Sequence, residues 1–440
     1  MNRTNVINAW PTKNLFISML VKDIPLTRSI IDLVDNSVDG ARRVKPNGKY
    51  EGLWVHVDAS SQRFAIRDNC GGIPVDVAQK YAFRFGRPEE TDVEETPHSV
   101  GQFGVGMKRA LFKLGKKFTV ESRTKNARFV VEVDVDEWKR KNEWEFAFKE
   151  LQENLPDVPD NECGTEIIVT PLHESVAGEL SLENYIDKLL VEIEAAHEQS
   201  MSDGLRLTLN DKPLQNHPVL AKQSNVILPA YRDSMIEQPD QKPVRVAIFA
   251  GIDDSDPTEA GWYVYCNGRM LLAADQSYAT GWGEVVNATI PRYHNQFARF
   301  RGYVFFDSED SGLLPWNTTK TGVDVDSPLY GHVRRSMIEI MRPVIDFLND
   351  LDRENDPGVE DRPLQTAVSH LKTVPLSNVK PSEGFVTKVD TAPRQRVGNI
   401  SYSRPIKEID RVKKALGVSS LKEVGEETFD YYVRMVCDDK

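Results

Sequence analysis

A series of strand-like segments in the first 175 or so residues constrains the fold of this chain more than any other feature. Apolar and polar residues alternate in these segments, as they do in strands that have one buried face. The segments are "LWVHVDASSQRFAIRD", which reads as two short strands around a Ser-rich turn, "KKFTVESR", "ARFVVEVDVDEW", "EWEFAFKEL" and "GTEIIVTPL". A helical pattern precedes them, from Pro25 to about Val44. Residues 1–175 are therefore predicted to form an α+β domain of antiparallel strands and helices.

A second domain is predicted over residues 176–352. It begins with a helix from Ser181 to Gln199 behind a Ser cap, and it closes with a long helix from Pro328 to about Leu351. Alternating segments lie between the two helices, and an Asn267-Gly268 turn joins two of them. This domain is therefore also expected to combine a sheet with helices.

The last part of the chain differs in composition from both domains. Residues 353–399 are rich in Pro, Ser, Lys and Asp and show little periodicity, which predicts a linker. Residues 400–440 predict a small helical module, in which Gly417 separates one helix from the next.

Charge and cysteine content limit the classes of function. The 440 residues include 55 Lys and Arg against 67 Asp and Glu, a net charge of −12, so any contact with nucleic acid or an anionic membrane must come from a local basic surface. No signal peptide or membrane-spanning run is apparent, and a cytoplasmic protein is expected. The four cysteines lack the spacing of a disulfide framework or a zinc site.

The helix in "SIIDLVDNSVDGARR" carries several polar side chains on one face. Asp32, Asn36 and Asp39 fall at positions i, i+4 and i+7, and Asp35 lies alongside. One interpretation is an acidic face that is simply solvated. The other is a site for a hard cation such as Mg²⁺, with a carboxylate ready to orient water.

The segment "IRDNCGGIP" places Asp68 at the end of a strand, directly before a glycine turn. Gly71 and Gly72 permit a sharp turn and the close approach of a flat ligand. Asp68 is either a turn-former or a buried carboxylate that accepts a hydrogen bond from an exocyclic amine such as that of adenine.

The segment "GQFGVGMKRALFKLG" matches neither common phosphate-binding motif. Met107 separates Gly106 from Lys108, and Arg109 stands where a P-loop needs Ser or Thr. The glycine order is also the reverse of the dinucleotide-binding fingerprint. What remains is a glycine loop that runs into a helix, whose N-terminal amides could hold phosphate together with Lys108.

Taken together and in this order, the three segments closely resemble those of the GHKL superfamily, which includes the gyrase B subunit, MutL, the ninety-kilodalton heat-shock chaperone, histidine kinases and MORC proteins. The resemblance covers roughly residues 10 to 350. It implies a Bergerat-type α/β sandwich that binds ATP and Mg²⁺, with a lid over Arg84 to Val100.

The resemblance also implies roles for individual residues. Asn36 would ligate Mg²⁺, Asp68 would bind the adenine amine, and Asp32 would orient the attacking water. The residues implied to contact the nucleotide are Asn36, Asp39, Asp68, Gly72, Ile73, Gly101, Gln102, Phe103, Gly104, Val105, Gly106, Met107, Lys108 and Thr165. Two positions depart from the family pattern: Asp32 stands where Glu is usual, and Cys70 stands where a glycine often sits. The shorter acid predicts slow hydrolysis.

The second domain resembles the S5-like transducer domain of the gyrase, MutL and MORC branch. The resemblance lies in "YVYCNGRMLL" and "LPWNTTKTGVD". It implies that Lys320 reaches back to the γ-phosphate, while the alternative is a surface lysine in a Thr-rich loop.

Candidate partner surfaces come from two further segments. In "RYHNQFARFRG", Arg292, Arg299 and Arg301 alternate with aromatic residues, a composition suited to DNA or to a half-buried strand with solvated arginines. The C-terminal helices are a candidate site for a protein partner. His370 in "SHLKTVPL" weakly resembles the phosphoacceptor of histidine kinases, but it follows the ATP domain and lacks the acid after the histidine.

The function that the resemblance implies is an ATP-gated clamp. ATP would close the lid, drive homodimer formation and enclose DNA, in prokaryotic genome maintenance or defence by analogy with MORC and MutL. The alternative is an ATP-sensing scaffold that hydrolyses little and recruits a protein partner.

Overall fold

The structure is a computed structural model that describes most of the 440 residues. The described ranges are 11–22, 24–85, 97–100, 105–237, 239, 241–284, 290–317, 320–356, 361–379, 382–389 and 400–437. The chain separates into two compact units, Met1–Val389 and Asp390–Lys440.

The first half of the larger unit is built on an eight-stranded sheet. Its strands are β1 (Trp54–Ala59), β2 (Phe64–Asp68), β3 (Lys117–Arg123), β4 (Arg128–Asp134), β5 (Phe148–Gln152), β6 (Gly164–Val169), β7 (Arg206–Leu209) and β8 (Lys212–Pro213). The order across the sheet is β5-β4-β3-β6-β2-β1-β7-β8. All neighbouring strands are antiparallel except β1 and β7, so the sheet is mixed. The strand pattern in the sequence is therefore confirmed, and β1 to β6, the strands of residues 1–175, pair antiparallel as predicted. The parallel neighbour, β7, comes from further along the chain.

Helices accompany this sheet along the chain. They are α1 (Lys13–Lys22), α2 (Leu26–Val44), α3 (Val75–Val77), α4 (Gly106–Leu114), α5 (Val135–Arg140), α6 (Glu174–Leu180) and α7 (Glu183–Ser202). Helix α2 is central, because Ile30, Ile31 and Val34 are fully buried in the core shared with the strands. The helix predicted from Pro25 to about Val44 is thus confirmed.

The start of α7 differs from the prediction. Ser181 is not its cap: the residue ends α6, and its hydroxyl donates to the carbonyl oxygen of Gly178 at 2.7 Å. Helix α7 begins at Glu183 behind Leu182, which offers no capping side chain. The predicted Ser cap is wrong, because the serine serves the C-terminus of the preceding helix instead.

A five-stranded sheet forms the core of the second half. The strands that follow β8 are β9 (Leu220–Gln223), β10 (Ile227–Leu228), β11 (Ala230–Ile236), β12 (Val244–Ile252), β13 (Gly261–Cys266), β14 (Arg269–Asp275) and β15 (Phe300–Asp307). The five-stranded sheet has the order β11-β12-β15-β13-β14. Asn267 and Gly268 make the predicted turn between β13 and β14, and both have positive φ. Strands β7 and β8, from the segment assigned to the second domain, pair in the first sheet.

Helix α8 (Pro328–Arg353) packs on this second sheet. Ser327 caps it, since its hydroxyl accepts a hydrogen bond from the amide of Tyr330, and Pro328 fits the first turn. Beyond it lie α9 (Pro363–Ser369), β16 (Lys372–Pro375) and β17 (Val386–Thr387). Strand β16 pairs with β9 and β17 pairs with β10, so the segment predicted as a linker contains ordered elements. The predicted domain limits stay a prediction.

The described residues of the smaller unit form two α-helices, α10 (Ile406–Leu416) and α11 (Leu421–Tyr432), and a π-helical turn over Val433–Cys437 follows α11. Gly417 ends α10 with φ +73°, and Ser420 and Glu423 form a capping box at the start of α11. The predicted break at Gly417 is confirmed. The α+β prediction for the chain is also confirmed. Among the described residues, the structure has no helix that is both long and apolar enough to cross a membrane.

Candidate functional site

The acids of α2 are buried, and each has a different cationic neighbour. Asp32 is 3% exposed, and its Oδ2 lies 2.6 Å from Nη2 of Arg109 on α4. Asp39 is also buried and lies 3.3 Å from Arg42 on its own helix. A solvated acidic face is therefore excluded, because a buried carboxylate needs a partner.

Asp68, at the end of β2, is held by three donors. Its Oδ2 accepts from the hydroxyl of Ser37 at 2.7 Å, and its Oδ1 accepts from the amides of Cys70 at 2.9 Å and Thr165 at 3.2 Å. A carboxylate has about four acceptor positions, so one on the Oδ2 side is still available. Burial raises the pKa of Asp68 above its ordinary value, although these three hydrogen bonds act in the opposite direction.

Glycines allow the turn after Asp68 to lie close to its neighbours. Gly71 and Gly72 have φ of +85° and +71°, a region that L side chains rarely adopt. A Cβ atom on Gly72 would also collide with the carbonyl of Arg123, and one on Gly164 would collide with the carbonyl of Asp68. Cys70 is buried against α2. The left-handed backbone conformations of the turn are at Gly71 and Gly72, not at Cys70.

A groove opens between α2, the glycine turn and β6. Its cavity volume, counted as the space open to the centre of a water-sized sphere, is about 30 Å³. The residues that line it are Leu33, Asn36, Ser37, Gly40, Arg43, Ile66, Asp68, Cys70, Gly72, Ile73, Met107, Thr165 and Ile167. The structure thus brings together six of the predicted contact residues: Asn36, Asp68, Gly72, Ile73, Met107 and Thr165. Apolar walls around one carboxylate suit a flat heterocycle with an amine.

Other predicted residues lie beside the groove. The Nζ of Lys108, 2% exposed, donates to the carbonyl of Ala82 at 2.8 Å, and burial lowers its pKa to about 7. Asp39 accepts a hydrogen bond from the amide of Val100 at 2.8 Å. Both side chains therefore contact the chain on either side of residues 86–96. Their contact with a nucleotide stays a prediction.

The start of α4 faces the acid of α2. Val105 precedes the helix and Gly106 is its first residue. A Cβ built on Gly106 would lie 3.6 Å from Oδ2 of Asp32, an ordinary van der Waals distance, so the N-terminus of α4 lies next to this carboxylate. The predicted contact residues Gly101, Gln102, Phe103 and Gly104 lie outside the described residues.

A second carboxylate of α2, Asp35, lies against Lys320 and Arg269 from the second half of the chain and against His197 of α7. Its Oδ2 is 3.1 Å from Nζ of Lys320, and its Oδ1 is 3.3 Å from Nε of Arg269 and 3.6 Å from Nε2 of His197. All four side chains are at most 7% exposed. Lys320 is therefore not the surface lysine that the alternative interpretation expected. It contacts Asp35, the residue directly before Asn36 on α2.

The charges of this cluster determine its protonation. Burial alone would raise the pKa of Asp35, but Lys320, Arg269 and His197 together lower it to about 2. Burial lowers the pKa of His197 to about 3, so the imidazole is neutral at neutral pH. Two positive charges then face one negative charge. Nε and Nη1 of Arg269 have no hydrogen-bond partner among the described residues.

A further link joins the second sheet to the residues before the glycine loop. The Nδ2 of Asn267 donates to the carbonyls of Ser99 at 3.2 Å and Ser308 at 3.0 Å. Arg42 donates to the carbonyls of Asn267 at 2.5 Å and His98 at 2.7 Å. The Asn267-Gly268 turn therefore holds His98 and Ser99 beside α2.

The residues predicted to meet DNA lie in unlike surroundings. Arg292 is exposed, whereas Arg299 donates to the carbonyl of Asp253 and Arg301 is 4% exposed beside Glu259. The aromatic residue between the latter two, Phe300, is fully buried in the second core. DNA contact stays a prediction, and of these three arginines Arg292 has the exposed side chain.

The sequence alone missed several residues of the site. Ser37 and Arg43 line the groove, and the spacing of Arg43, seven residues after Asn36 on one helix, was a usable signal. Arg109, Arg269 and His197 carried no such signal, since their partners lie on other elements.

A divalent cation would have few protein ligands here. Among the described residues, no three His, Cys, Asp or Glu side chains are arranged to hold a metal ion. Asn36 lines the groove with an exposed side chain. This arrangement fits Mg²⁺, which commonly binds through one or two protein oxygens together with substrate phosphates.

Comparison with known proteins gives one match for this part of the chain. Residues 24–165 match the family model described as histidine kinase-, DNA gyrase B-, and HSP90-like ATPase. The match covers α2, the glycine turn, α4 and the first two residues of β6. It supports the GHKL superfamily, and with it ATP binding and ATP hydrolysis in general. No curated protein matches the chain.

Proposed function

We propose that the chain binds ATP in the groove between α2 and the glycine turn, and that it hydrolyses this ATP slowly. The observation that carries the proposal is the environment of Asp68, with three fixed donors and an acceptor position left toward an apolar groove. An adenine amine is a donor of the size and polarity that this position would accept. When Mg²⁺ is bound, it neutralises phosphate charge, and Asn36 would supply an amide oxygen to it.

Asp32 is the residue that we assign to orienting water. It is buried, it lies at the N-terminus of α4, and Arg109 fixes its position from one side. Its side chain is one methylene shorter than the usual Glu. A displacement of about 1 Å can cost on the order of 10²-fold in rate, so slow hydrolysis is expected.

Lys320 is the residue that we assign to coupling between nucleotide and the second sheet. In the structure it pairs with Asp35, next to Asn36. Because Arg269 also faces Asp35, the carboxylate keeps a counter-ion when Lys320 turns toward a phosphate. The surplus positive charge of the cluster therefore lowers the cost of moving Lys320.

The finer proposal is an ATP-gated clamp of the MORC and MutL type, with an S5-like transducer domain. ATP would bring two chains together through their first domains and enclose DNA, in prokaryotic genome maintenance or defence. The support for it is the pair of links, at Asp35 and at Ser99, between the nucleotide side and the second sheet.

A scaffold with little hydrolysis is the second candidate function. It is favoured by the short acid Asp32, held by Arg109, and by Lys108, which donates to Ala82. In this alternative, ATP occupancy itself would recruit a protein partner.

Titration with ATP and a non-hydrolysable analogue in the presence of Mg²⁺ tests ATP binding, and phosphate release tests hydrolysis. Wild type is expected to bind both ligands, and Asp32→Asn is expected to bind equally and release no phosphate. Asp32→Glu separates the two candidates: a changed rate supports the ATPase, and an unchanged near-zero rate supports the scaffold. Absence of binding by the wild type would refute both.

A further inference from the structure

Arg42 joins three parts of the chain that meet beside α2. Its Nη1 donates to the carbonyl of His98 at 2.7 Å and to Oδ1 of Asp39 at 3.3 Å. Its Nη2 donates to the carbonyl of Asn267 at 2.5 Å. The side chain is only 12% exposed. One guanidinium thus connects α2, the residues that precede the glycine segment and the turn between β13 and β14.

Both carbonyl groups belong to residues with an unfavourable backbone conformation. His98 and Asn267 have φ of +59° and +45°, the left-handed region that residues other than glycine adopt infrequently. Such conformations persist where the surrounding structure determines them, and they concentrate at functional sites. A guanidinium donates to two oxygens from one rigid plane, whereas a lysine ammonium is a point charge on a flexible stem. Arg42 therefore stabilises two strained turns at once.

Ser99 and Val100, which follow His98, are fixed from two directions. The carbonyl of Ser99 accepts from Nδ2 of Asn267 at 3.2 Å, and the amide of Val100 donates to Asp39 at 2.8 Å. The side chain of Val100 is buried in the core of the second sheet. Arg42 bonds to both anchoring residues, so its loss would weaken the support of this segment from both sides.

The position of Val100 affects the region that is proposed to bind phosphate. Four residues join Val100 to Val105, which directly precedes α4. The amides at the N-terminus of this helix carry partial positive charge, which suits an anion such as a triphosphate. Fixing both ends of so short a connection lowers the conformational entropy that binding of the anion costs.

The same turn carries Arg269 to the carboxylate of Asp35. Arg269 comes two residues after Asn267, and its Nε lies 3.3 Å from Oδ1 of Asp35. A shift of the turn would therefore reach the Asp35 cluster and the segment before α4 together. Arg42 is the side chain of α2 that bonds to the turn and to that segment at the same time.

We propose that Arg42 is a positioning residue for the triphosphate. It holds residues 98–100 and the turn between β13 and β14 in the arrangement that phosphate binding requires, and it takes no part in binding the base. This proposal rests on the ATP site proposed above. The adjacent Arg43 differs, because it lines the groove and its Nη2 donates to the carbonyl of Gly72 at 3.1 Å.

Affinities for adenosine and for a non-hydrolysable ATP analogue, both with Mg²⁺, test the proposal. Arg42→Met is expected to bind the analogue roughly tenfold more weakly or worse, and adenosine within about twofold of wild type. Arg42→Lys is expected to recover part of the loss. Arg43→Met is the matched control, and it is expected to weaken both ligands by the same factor. Equal losses of both ligands in Arg42→Met would overturn the proposal.

Hydrogen exchange without nucleotide separates failure of this inference from failure of the proposed function. In Arg42→Met the amide of Val100 is expected to exchange about tenfold faster, because Asp39 loses its neighbour. The amides of Cys70 and Thr165, which bond to Asp68, are expected to keep their rates. Unchanged exchange at Val100 would overturn the inference even if ATP binds. A wild type that binds neither ligand would refute the ATP site itself.

Asn267→Asp tests the same contact if Arg42→Met fails to fold. Aspartate keeps an oxygen that accepts from the amide of Ser308, at 2.9 Å in the wild type, but it cannot donate to the carbonyl of Ser99. The variant is expected to bind the analogue roughly fivefold more weakly and to retain adenosine. Full retention of both ligands would contradict the proposal.

Discussion

Asp68, at the end of β2, and Asp35, on α2, are both buried carboxylates, and the groups around them differ in charge. Asp68 is bonded by a hydroxyl and two amides, which are neutral, and burial raises its pKa. Asp35 faces Lys320 and Arg269, and its pKa is lowered to about 2. Neutral donors leave a carboxylate able to accept from a ligand, whereas paired cations occupy it. The acid at the end of β2 therefore serves recognition, and the acid on α2 holds the two sheets together.

Removal of the charge at Asp35 is expected to have the largest effect. Asp35→Asn leaves Lys320 and Arg269 buried without a counter-ion, and this typically costs about 3–5 kcal/mol of unfolding free energy. Lys320→Met is the matched variant, because Arg269 still neutralises Asp35, and it is expected to cost less. Urea unfolding of both variants measures the difference. Equal losses would show that the cluster behaves as a simple ion pair.

The corresponding change at Asp68 is expected to affect binding more than stability. In Asp68→Asn, the amide oxygen must face the amides of Cys70 and Thr165, so the NH₂ group faces the groove and meets the adenine amine. Loss of a hydrogen bond to a charged group weakens ATP binding by roughly 10- to 100-fold. Calorimetric titration measures this, with exposed Asp76→Asn as the control. Retained affinity would place the base elsewhere.

The pH dependence of the unfolding free energy tests the protonation states assigned to the cluster around Asp35. His197 has its pKa lowered to about 3 in the folded chain, whereas the unfolded chain binds a proton near the ordinary value of 6.5. Stability is therefore lost as the pH falls below about 6.5, by about 1.4 kcal/mol per pH unit for one group, or about 2 kcal/mol at pH 5. Asp35 adds a loss only as the pH falls from about 4 toward 2.

Comparison of wild type with His197→Gln isolates this contribution. Unfolding free energies at pH 7 and pH 5 are expected to differ less in the variant than in the wild type. Parallel pH profiles would mean that the imidazole is protonated in the folded chain and pairs with Asp35 as an ion.

The smallest effect is expected at Cys70, where the sequence departs from the family pattern. Its side chain is buried, but Gly71 and Gly72 supply the left-handed backbone. Cys70→Ala is expected to cost less than about 1.5 kcal/mol of stability, as conservative changes in a core do, and to leave ATP affinity within about twofold. Thermal unfolding and titration check both. A large loss of affinity would show that the thiol itself shapes the groove.

Sequence periodicity predicted the elements of the first site well. The helix of Asp32 and Asn36, the strand ending at Asp68 and the turn at Asn267 are all where the patterns place them. These features are local, because each depends on residues within a few positions. Six of the residues implied to contact nucleotide line one groove for the same reason, since they belong to four short segments.

The partners of Asp35 could not be predicted in the same way. His197, Arg269 and Lys320 come from a kinked helix end, a strand start and a loop that are far apart along the chain. Periodicity identifies which face of a helix is buried and not what lies against it. The hydrogen-bond partner of Lys108 could not be predicted for the same reason, because Ala82 lies in a separate helical turn.

The position of Val100 limits where this chain can be cut into fragments. Its amide bonds to Asp39 on α2, yet its side chain is 2% exposed and belongs to the core of the second sheet. A fragment cut after the first sheet would leave this valine without the cavity that it fills, directly before the glycine segment. The nucleotide groove and the second sheet therefore depend on each other structurally. Truncation or recombination between them would disturb the groove even though the cut lies outside it.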